Sequence, residues 1–154
     1  MKSVLDGRKF SQVGYIVADI DEARVRFAKL FGLEKAPEAN WAGEYEITQT
    51  IFRGEPAPYA NSRLAFFDLT PGVQLELIQP NEYPSTWREF LKEKGEGIHH
   101  IAFQVENMEQ VIKDCEAEGM TLVQYGKYGD GSGHYAYMDG NKDFKCVIEL
   151  LESF

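Results

Sequence analysis

The chain contains a second copy of its own opening. Ser11-Gln12-Val13-Gly14-Tyr15-Ile16-Val17-Ala18-Asp19-Ile20 lies in register with His99-His100-Ile101-Ala102-Phe103-Gln104-Val105-Glu106-Asn107-Met108, an offset that carries Gln12 onto His100. Both blocks alternate in strand fashion and then break into a helix start. Asp19 with Glu22, and Asn107 with Gln110, each read as an N-cap with a partner three residues on. Apolar residues then recur at helical spacing: Ala23, Phe27, Leu30 and Phe31 in one copy, and Met108, Val111, Ile112 and Cys115 in the other. Gly32 and Gly119 close the two helices with residues suited to a left-handed C-cap.

The repeat returns downstream. Ala65-Phe66-Phe67-Asp68 followed by Val73-Gln74-Leu75-Glu76-Leu77-Ile78 matches Ala136-Tyr137-Met138-Asp139 followed by Cys146-Val147-Ile148-Glu149-Leu150-Leu151, with a longer hairpin loop in the second copy. One more strand is predicted in each half, over Glu44 to Phe52 and over Met120 to Gln124. The fold class is therefore α+β, built from two tandem βαβββ modules in a single domain, 1–154. Module one covers 8–82, a linker helix lies within 83–96, and module two covers 97–152. Trp87, Phe90 and Leu91 give the linker helix, Thr86 to Lys94, one apolar side for packing on the body.

Composition narrows the function. A chain of 154 residues with 44% hydrophobic and 27% charged residues is long enough to bury a core without disulfides or structural metal. Its net charge of −9 opposes phosphate backbones and anionic bilayers, so neither nucleic acid nor membrane is expected as a partner. No apolar run approaches the roughly 18 residues of a membrane span, and Met1 to Phe10 hold no apolar stretch of signal-peptide length. A cytoplasmic location is the expectation. Cys115 and Cys146 have no metal-type spacing and read as small buried hydrophobes.

Strand parity locates the candidate site. Val13, Tyr15 and Val17 share one face of the first strand, and Ile101, Phe103 and Val105 the matching face of its copy; these should pack under the helices. The opposite faces, Gln12-Gly14-Ile16 and His100-Ala102-Gln104, mix polar, small and large residues and suit a cavity wall. On the last strands Glu76 and Glu149 sit inside Leu-Glu-Leu and Ile-Glu-Leu. Each carboxylate must be exposed, paired, or bound to a cation. If the halves pack with pseudo-twofold symmetry, Gln12, Glu76, His100 and Glu149 converge on one point. An amide oxygen, two carboxylates and an imidazole make a mixed oxygen and nitrogen set for zinc or a first-row divalent ion.

These residues resemble the vicinal oxygen chelate superfamily, which includes glyoxalase I, methylmalonyl-CoA epimerase, extradiol dioxygenases and bleomycin-resistance proteins. The resemblance runs from Phe10 to Glu152, and its most specific stretch, Trp87 to Phe103 with Gly95-Glu96-Gly97-Ile98-His99-His100-Ile101-Ala102-Phe103, is similar to the central segment of methylmalonyl-CoA epimerases. It implies a cup-shaped eight-stranded mixed sheet with helices outside, a homodimer, and one divalent metal ion (Zn, Co, Ni or Mn) held by Gln12, Glu76, His100 and Glu149. The first of these positions is histidine in typical epimerases, whereas the order Gln, Glu, His, Glu is that of eukaryotic-type glyoxalase I. Two basic places that hold glutathione in glyoxalase I are Ile16 and Glu96 here, which argues against that substrate. Candidate cations for coenzyme A phosphates are Arg53, Arg63, Lys127 and Lys142.

The implied chemistry is proton abstraction next to a carbonyl of a small oxygenated acid or acyl thioester: an epimerase, isomerase or lyase. Glu149 is the implied base. His134, in the glycine-rich run Gly131-Ser132-Gly133-His134-Tyr135, is a candidate acid/base at the cavity mouth, with Tyr125 and Tyr128 at the entrance. The glycines from Gly126 to Gly133 form no phosphate loop and suit a lid or hairpin. The alternative is a metal-free small-molecule binding protein of the resistance type, gripping a flat ligand with Trp41, Tyr45 and Phe52. An extradiol oxygenase fits poorly, because only His100 supplies an imidazole to the set.

Overall fold

A computed structural model of the chain describes residues 3–154; Met1 and Lys2, inside the domain span read from the sequence, lie outside the described residues. The strands are β1 (Phe10–Ile16), β2 (Asn40–Trp41), β3 (Ile51–Phe52), β4 (Glu55–Pro56), β5 (Ser62–Thr70), β6 (Val73–Pro80), β7 (Gly97–Gln104), β8 (Leu122–Lys127), β9 (Gly133–Asp139) and β10 (Val147–Ser153). The helices are α1 (Ile20–Leu30), α2 (Tyr45–Thr48), α3 (Thr86–Lys94), α4 (Met108–Ala117) and α5 (Asn141–Phe144). No helix among the described residues is long and apolar enough to cross a membrane.

The strands form one mixed sheet in the order β2-β5-β6-β1-β7-β10-β9-β8-β3-β4. Its first eight positions mirror about the antiparallel β1/β7 pair, with β6 and β10 each running parallel to the central strand of its own half. Seven of the eight strands expected from the repeat form where the sequence places them, and a small β3-β4 hairpin extends the sheet beyond β8. That hairpin corrects the strand predicted over Glu44 to Phe52. Tyr45–Thr48 is a helical turn, Gln49 ends it in the left-handed region at φ 46, and only two residues then pair. The second strand of module one is instead Asn40–Trp41, so the chain between β2 and β5 crosses from one end of the sheet to the other.

The two halves bury separate outer cores. Val17, Ile20, Ala28, Ala65, Phe67 and Leu77 pack under α1, with Phe27 and Phe31 in edge contact with Phe67 and Tyr15. Met108, Cys115, Ala136, Met138, Ile148 and Leu150 pack under α4. Leu30, expected on the apolar side of α1, is 75% exposed. Asp19 caps α1 through Glu22 N–H, as read. Asn107 makes no side-chain cap; it is itself left-handed, at φ 57, and Glu152 Oε2 accepts the Met108 N–H instead.

Not every helix lies outside. α3, capped by Ser85 Oγ, sets Trp87, Phe90 and Leu91 against Ile16, Ile78, Tyr137 and Val147 on the inner face of the sheet. This third cluster floors a cavity of about 780 Å³ whose walls come from both halves.

Candidate metal and catalytic site

Two rows of paired residues run across the centre of the inner face. One row is Glu76, Gly14, His100 and Val147; the other is Gln74, Gln12, Ala102 and Glu149. Alternation along each strand puts Gln12, Glu76, His100 and Glu149 on this face together. All four are buried. His100 Nε2 lies 2.9 Å from Gln12 Oε1, 3.0 Å from Glu149 Oε2 and 3.6 Å from Glu76 Oε1. The sequence-predicted set is therefore brought to one point.

Gly14 makes that convergence sterically feasible. A Cβ built there would stand 2.1 Å from His100 Cε1, well inside van der Waals contact with the imidazole edge. The ring occupies the space a side chain at Gly14 would take, directly between the two strands that carry it and Glu76.

The electrostatics are those of an under-compensated acidic cluster. Burial pushes the Glu76 carboxyl up to about 8, against the pull of the His100 charge, and the Glu149 carboxylate adds to the rise. For His100, burial works against the imidazolium, but the neighbouring Glu149 and Glu76 charges outweigh it and hold the pKa above its usual value. Glu149 Oε2 lies 3.0 Å from His100 Nε2 and finds no other polar partner among the described residues. Tyr137 lies against this cluster; burial, and then the charges of Glu149 and Glu76, hold its phenol well above the ordinary tyrosine value. Its oxygen accepts the Trp87 indole N–H at 2.9 Å. Tyr128, at the wall, is pushed up to about 12, first by burial.

The donor chemistry fits a divalent cation. Two buried carboxylates offset its charge, and the 2.9, 3.0 and 3.6 Å separations are close to the ~3 Å between neighbouring donors around an ion with ~2.1 Å bonds. No set of three or more His, Cys, Asp or Glu among the described residues surrounds a ready-made ion position; the four groups close on one another instead.

His99 was not singled out by parity, which sends it to the helix face. The β1/β7 register shifts between Gly14 and Tyr15, pairing Gly14 with His100 but Tyr15 with Ile98, so His99 is the extra residue of a bulge. Its ring turns inward, with its Nδ1 2.9 Å from His100 Nδ1. Burial, then the nearby His100 and Lys94 charges, holds the His99 pKa well below its usual value.

His134 does not join the site. It shares the parity of Ala136 and Met138, not of Tyr135 and Tyr137, and so lies on the helix face of β9. There it bridges Tyr125 Oη at 2.5 Å and Glu152 Oε1 at 2.6 Å, stacked near Phe154. The expectation of an acid/base at the cavity mouth is corrected accordingly, and Tyr125 goes with it. Tyr128 does line the cavity. The run from Gly126 to Gly133 is the β8–β9 hairpin, where Gly129 packs on the Ala42 carbonyl so closely that a Cβ would stand 2.1 Å from it.

The remaining candidates divide. Of the cations, Arg53 is paired with Glu89 and Arg63 with Asp21, while Lys127 borders the cavity. Ile16 is fully buried in the floor, and Glu96 accepts the Ala18 N–H. Trp41 lines the cavity; Tyr45 and Phe52 do not. Trp87, Tyr135 and Tyr137, which the sequence reading did not assign to the site, do.

The chain belongs to the glyoxalase/bleomycin resistance protein/dioxygenase superfamily, whose family model matches residues 11–137. Among curated relatives, the uncharacterized protein YqjC of Bacillus subtilis (strain 168) is 23% identical over 145 residues, covering 94% of this chain and 91% of its own. Solved structures with the same fold include methylmalonyl-CoA epimerase from Mycobacterium tuberculosis, at a TM-score of 0.67 and 20% identity over 100% of this chain and 93% of that one. A variant Streptomyces coelicolor methylmalonyl-CoA epimerase in complex with 2-nitronate-propionyl-CoA aligns at 0.66 and 18% identity over 94% and 96%.

Proposed function

We propose that this protein is a divalent-metal-dependent epimerase, isomerase or lyase that moves a proton on the carbon next to a carbonyl of a small oxygenated acid or acyl thioester. The observation that carries the reading is the meeting of Gln12, Glu76, His100 and Glu149, from repeat-equivalent positions, with Gln12, Glu76 and Glu149 lining a 780 Å³ cavity and His100 fully buried against them. These four side chains would hold the ion. A bound divalent cation supplies Lewis-acid stabilisation to negative charge developing on a carbonyl oxygen.

The rest is done by the chain itself. Glu149 takes the carbon-bound proton: its carboxylate lines the cavity and is tied to no protein group but the neighbouring His100 among the described residues. Return of a proton to the opposite face of the same carbon gives epimerisation, and to the adjacent atom isomerisation. Trp87 and Tyr137, locked together on the floor, exclude water from the inner end of the cavity. The epimerase neighbours, one of them holding a propionyl-CoA analogue, favour an acyl thioester as the first class to screen.

The experiment is solvent exchange. Protein loaded with Zn, Co, Ni or Mn is incubated in deuterated water with racemic 2-hydroxy acids, 2-oxo acids and acyl-CoA thioesters. Metal-dependent deuterium uptake at the carbon next to the carbonyl, lost in Glu149→Gln, is the expected result. A protein that takes up no divalent ion, and exchanges no proton across the panel, overturns the reading.

A further inference from the structure

His99 is an expensive residue to keep where it is. It is 1% exposed, packed edge-on to Phe90 and Tyr137, and its Nε2 has no hydrogen-bond partner among the described residues. A leucine or phenylalanine would fill that space without an orphaned polar atom. A β-bulge is also needed to turn it inward beside His100, because regular alternation sends neighbours to opposite faces. Among the described residues, the polar contact that both features serve is the one between the two Nδ1 atoms, at 2.9 Å.

We propose that His99 is a positioning residue for His100, an inference that rests on the metal reading above. An imidazole that offers Nε2 to a cation must carry its proton on Nδ1. His99 Nδ1 is placed to accept that N–H, which fixes both the tautomer and the tilt of the His100 ring over Gly14. The proton of His99 then sits on Nε2, the buried atom with no partner. Without the ion, His100 Nε2 lies against Gln12 Oε1, an acceptor, and carries the proton itself. The bulge is what holds that acceptor beside His100.

Two substitutions separate this role from packing. His99→Leu keeps the apolar fill but removes the acceptor. His99→Asn places an amide oxygen close to the Nδ1 position and restores it. Affinity for Co²⁺ is read by equilibrium dialysis, and 15N-labelled histidine spectra report the tautomers and the coupling between the two Nδ1 nuclei. Cobalt affinity should fall about 10- to 100-fold in His99→Leu and stay within about threefold in His99→Asn. The unaltered protein should show the Nδ1–Nδ1 coupling, a result that needs no variant to fold. Unchanged affinity in His99→Leu, an equal loss in both variants, or absence of the coupling overturns the inference alone. A parent protein that binds no cobalt overturns the metal reading and this inference with it.

Discussion

The two modules share a plan but not its execution, and the difference shows most clearly at Gly14 and Ala102. These are repeat-equivalent residues, each flanked by a glutamate of its own half and each facing a polar residue of the other. Opposite Ala102 stands the slim, flexible Gln12; opposite Gly14 stands the imidazole of His100, already within 2.1 Å of where a methyl would go. Two donors of different width thus require different residues across the β1/β7 seam. Duplication sets the positions of the site, while the identity of each donor sets what its neighbour can be.

The sharpest way to break the symmetry is to make one change in both halves. Glu149→Gln should cut metal-dependent exchange by about 10²- to 10⁴-fold at saturating metal, the usual worth of a positioned base. Glu76→Gln should act through ion affinity and recover as metal is raised. If excess metal rescues both variants equally, the assignment of the base to module two fails.

The seam itself comes next. Gly14→Ala should destabilise the metal-free protein by ~1–3 kcal/mol and weaken ion binding, since the imidazole must leave its place. Ala102→Gly should cost only ~0.5–1 kcal/mol through backbone entropy. Urea denaturation of both variants decides it; equal losses would mean that the ring has other room.

Helix capping offers a milder test. Asp19→Ala and Glu152→Ala should each cost about 1 kcal/mol, because each removes the acceptor at the start of its module's helix. Asn107→Gly should stay within about 0.5 kcal/mol, since that side chain makes no cap and glycine accepts the left-handed backbone. A large loss in Asn107→Gly would return the cap to the residue that sequence spacing chose.

A last test is one of pH. With the Glu76 carboxyl raised from 4.5 to about 8, the metal-free native state holds a proton that the unfolded chain releases. Its contribution to stability is full below 4.5 and is lost as pH rises through about 8. His100, also raised, acts in the same direction. His99 is lowered from 6.5, so its opposing loss falls on the acid side of that value. Between pH 6.5 and 8 the melting temperature of metal-free protein should therefore drop, and saturating zinc should flatten the slope. A metal-free midpoint that rises over this interval contradicts the burial of Glu76.

Much of this arrangement is written in the period-2 pattern. Parity placed Gln12, Glu76, His100 and Glu149 on the inner faces of their strands, and the register shifts that adjoin Gln12 and His100 leave that facing intact. The same rule, carried one strand further, also places His134 with Ala136 and Met138 on the helix face; its glycine-rich setting was the weaker signal. Two features follow from no local pattern. The bulge at His99 arises from pairing between strands distant in sequence, which spacing within one strand does not encode. The path from Asn40 to Phe52 is decided by where the far end of module two lies, so its β-branched and aromatic residues suggested a strand where a helical turn and a brief hairpin form.

The crossing of module one onto module two also determines how this sheet ends. Its outermost strands, Asn40–Trp41 and Glu55–Pro56, are two residues each, and proline at the far edge has no N–H to donate. The hairpin pairs in register with β8 at Gln124 and Tyr125 alone, and β2 pairs in register with β5 at Arg63 and Leu64 alone. The backbone that a second molecule could meet is therefore the remainder of those two edges, and crowding would act there rather than at the two-residue tips.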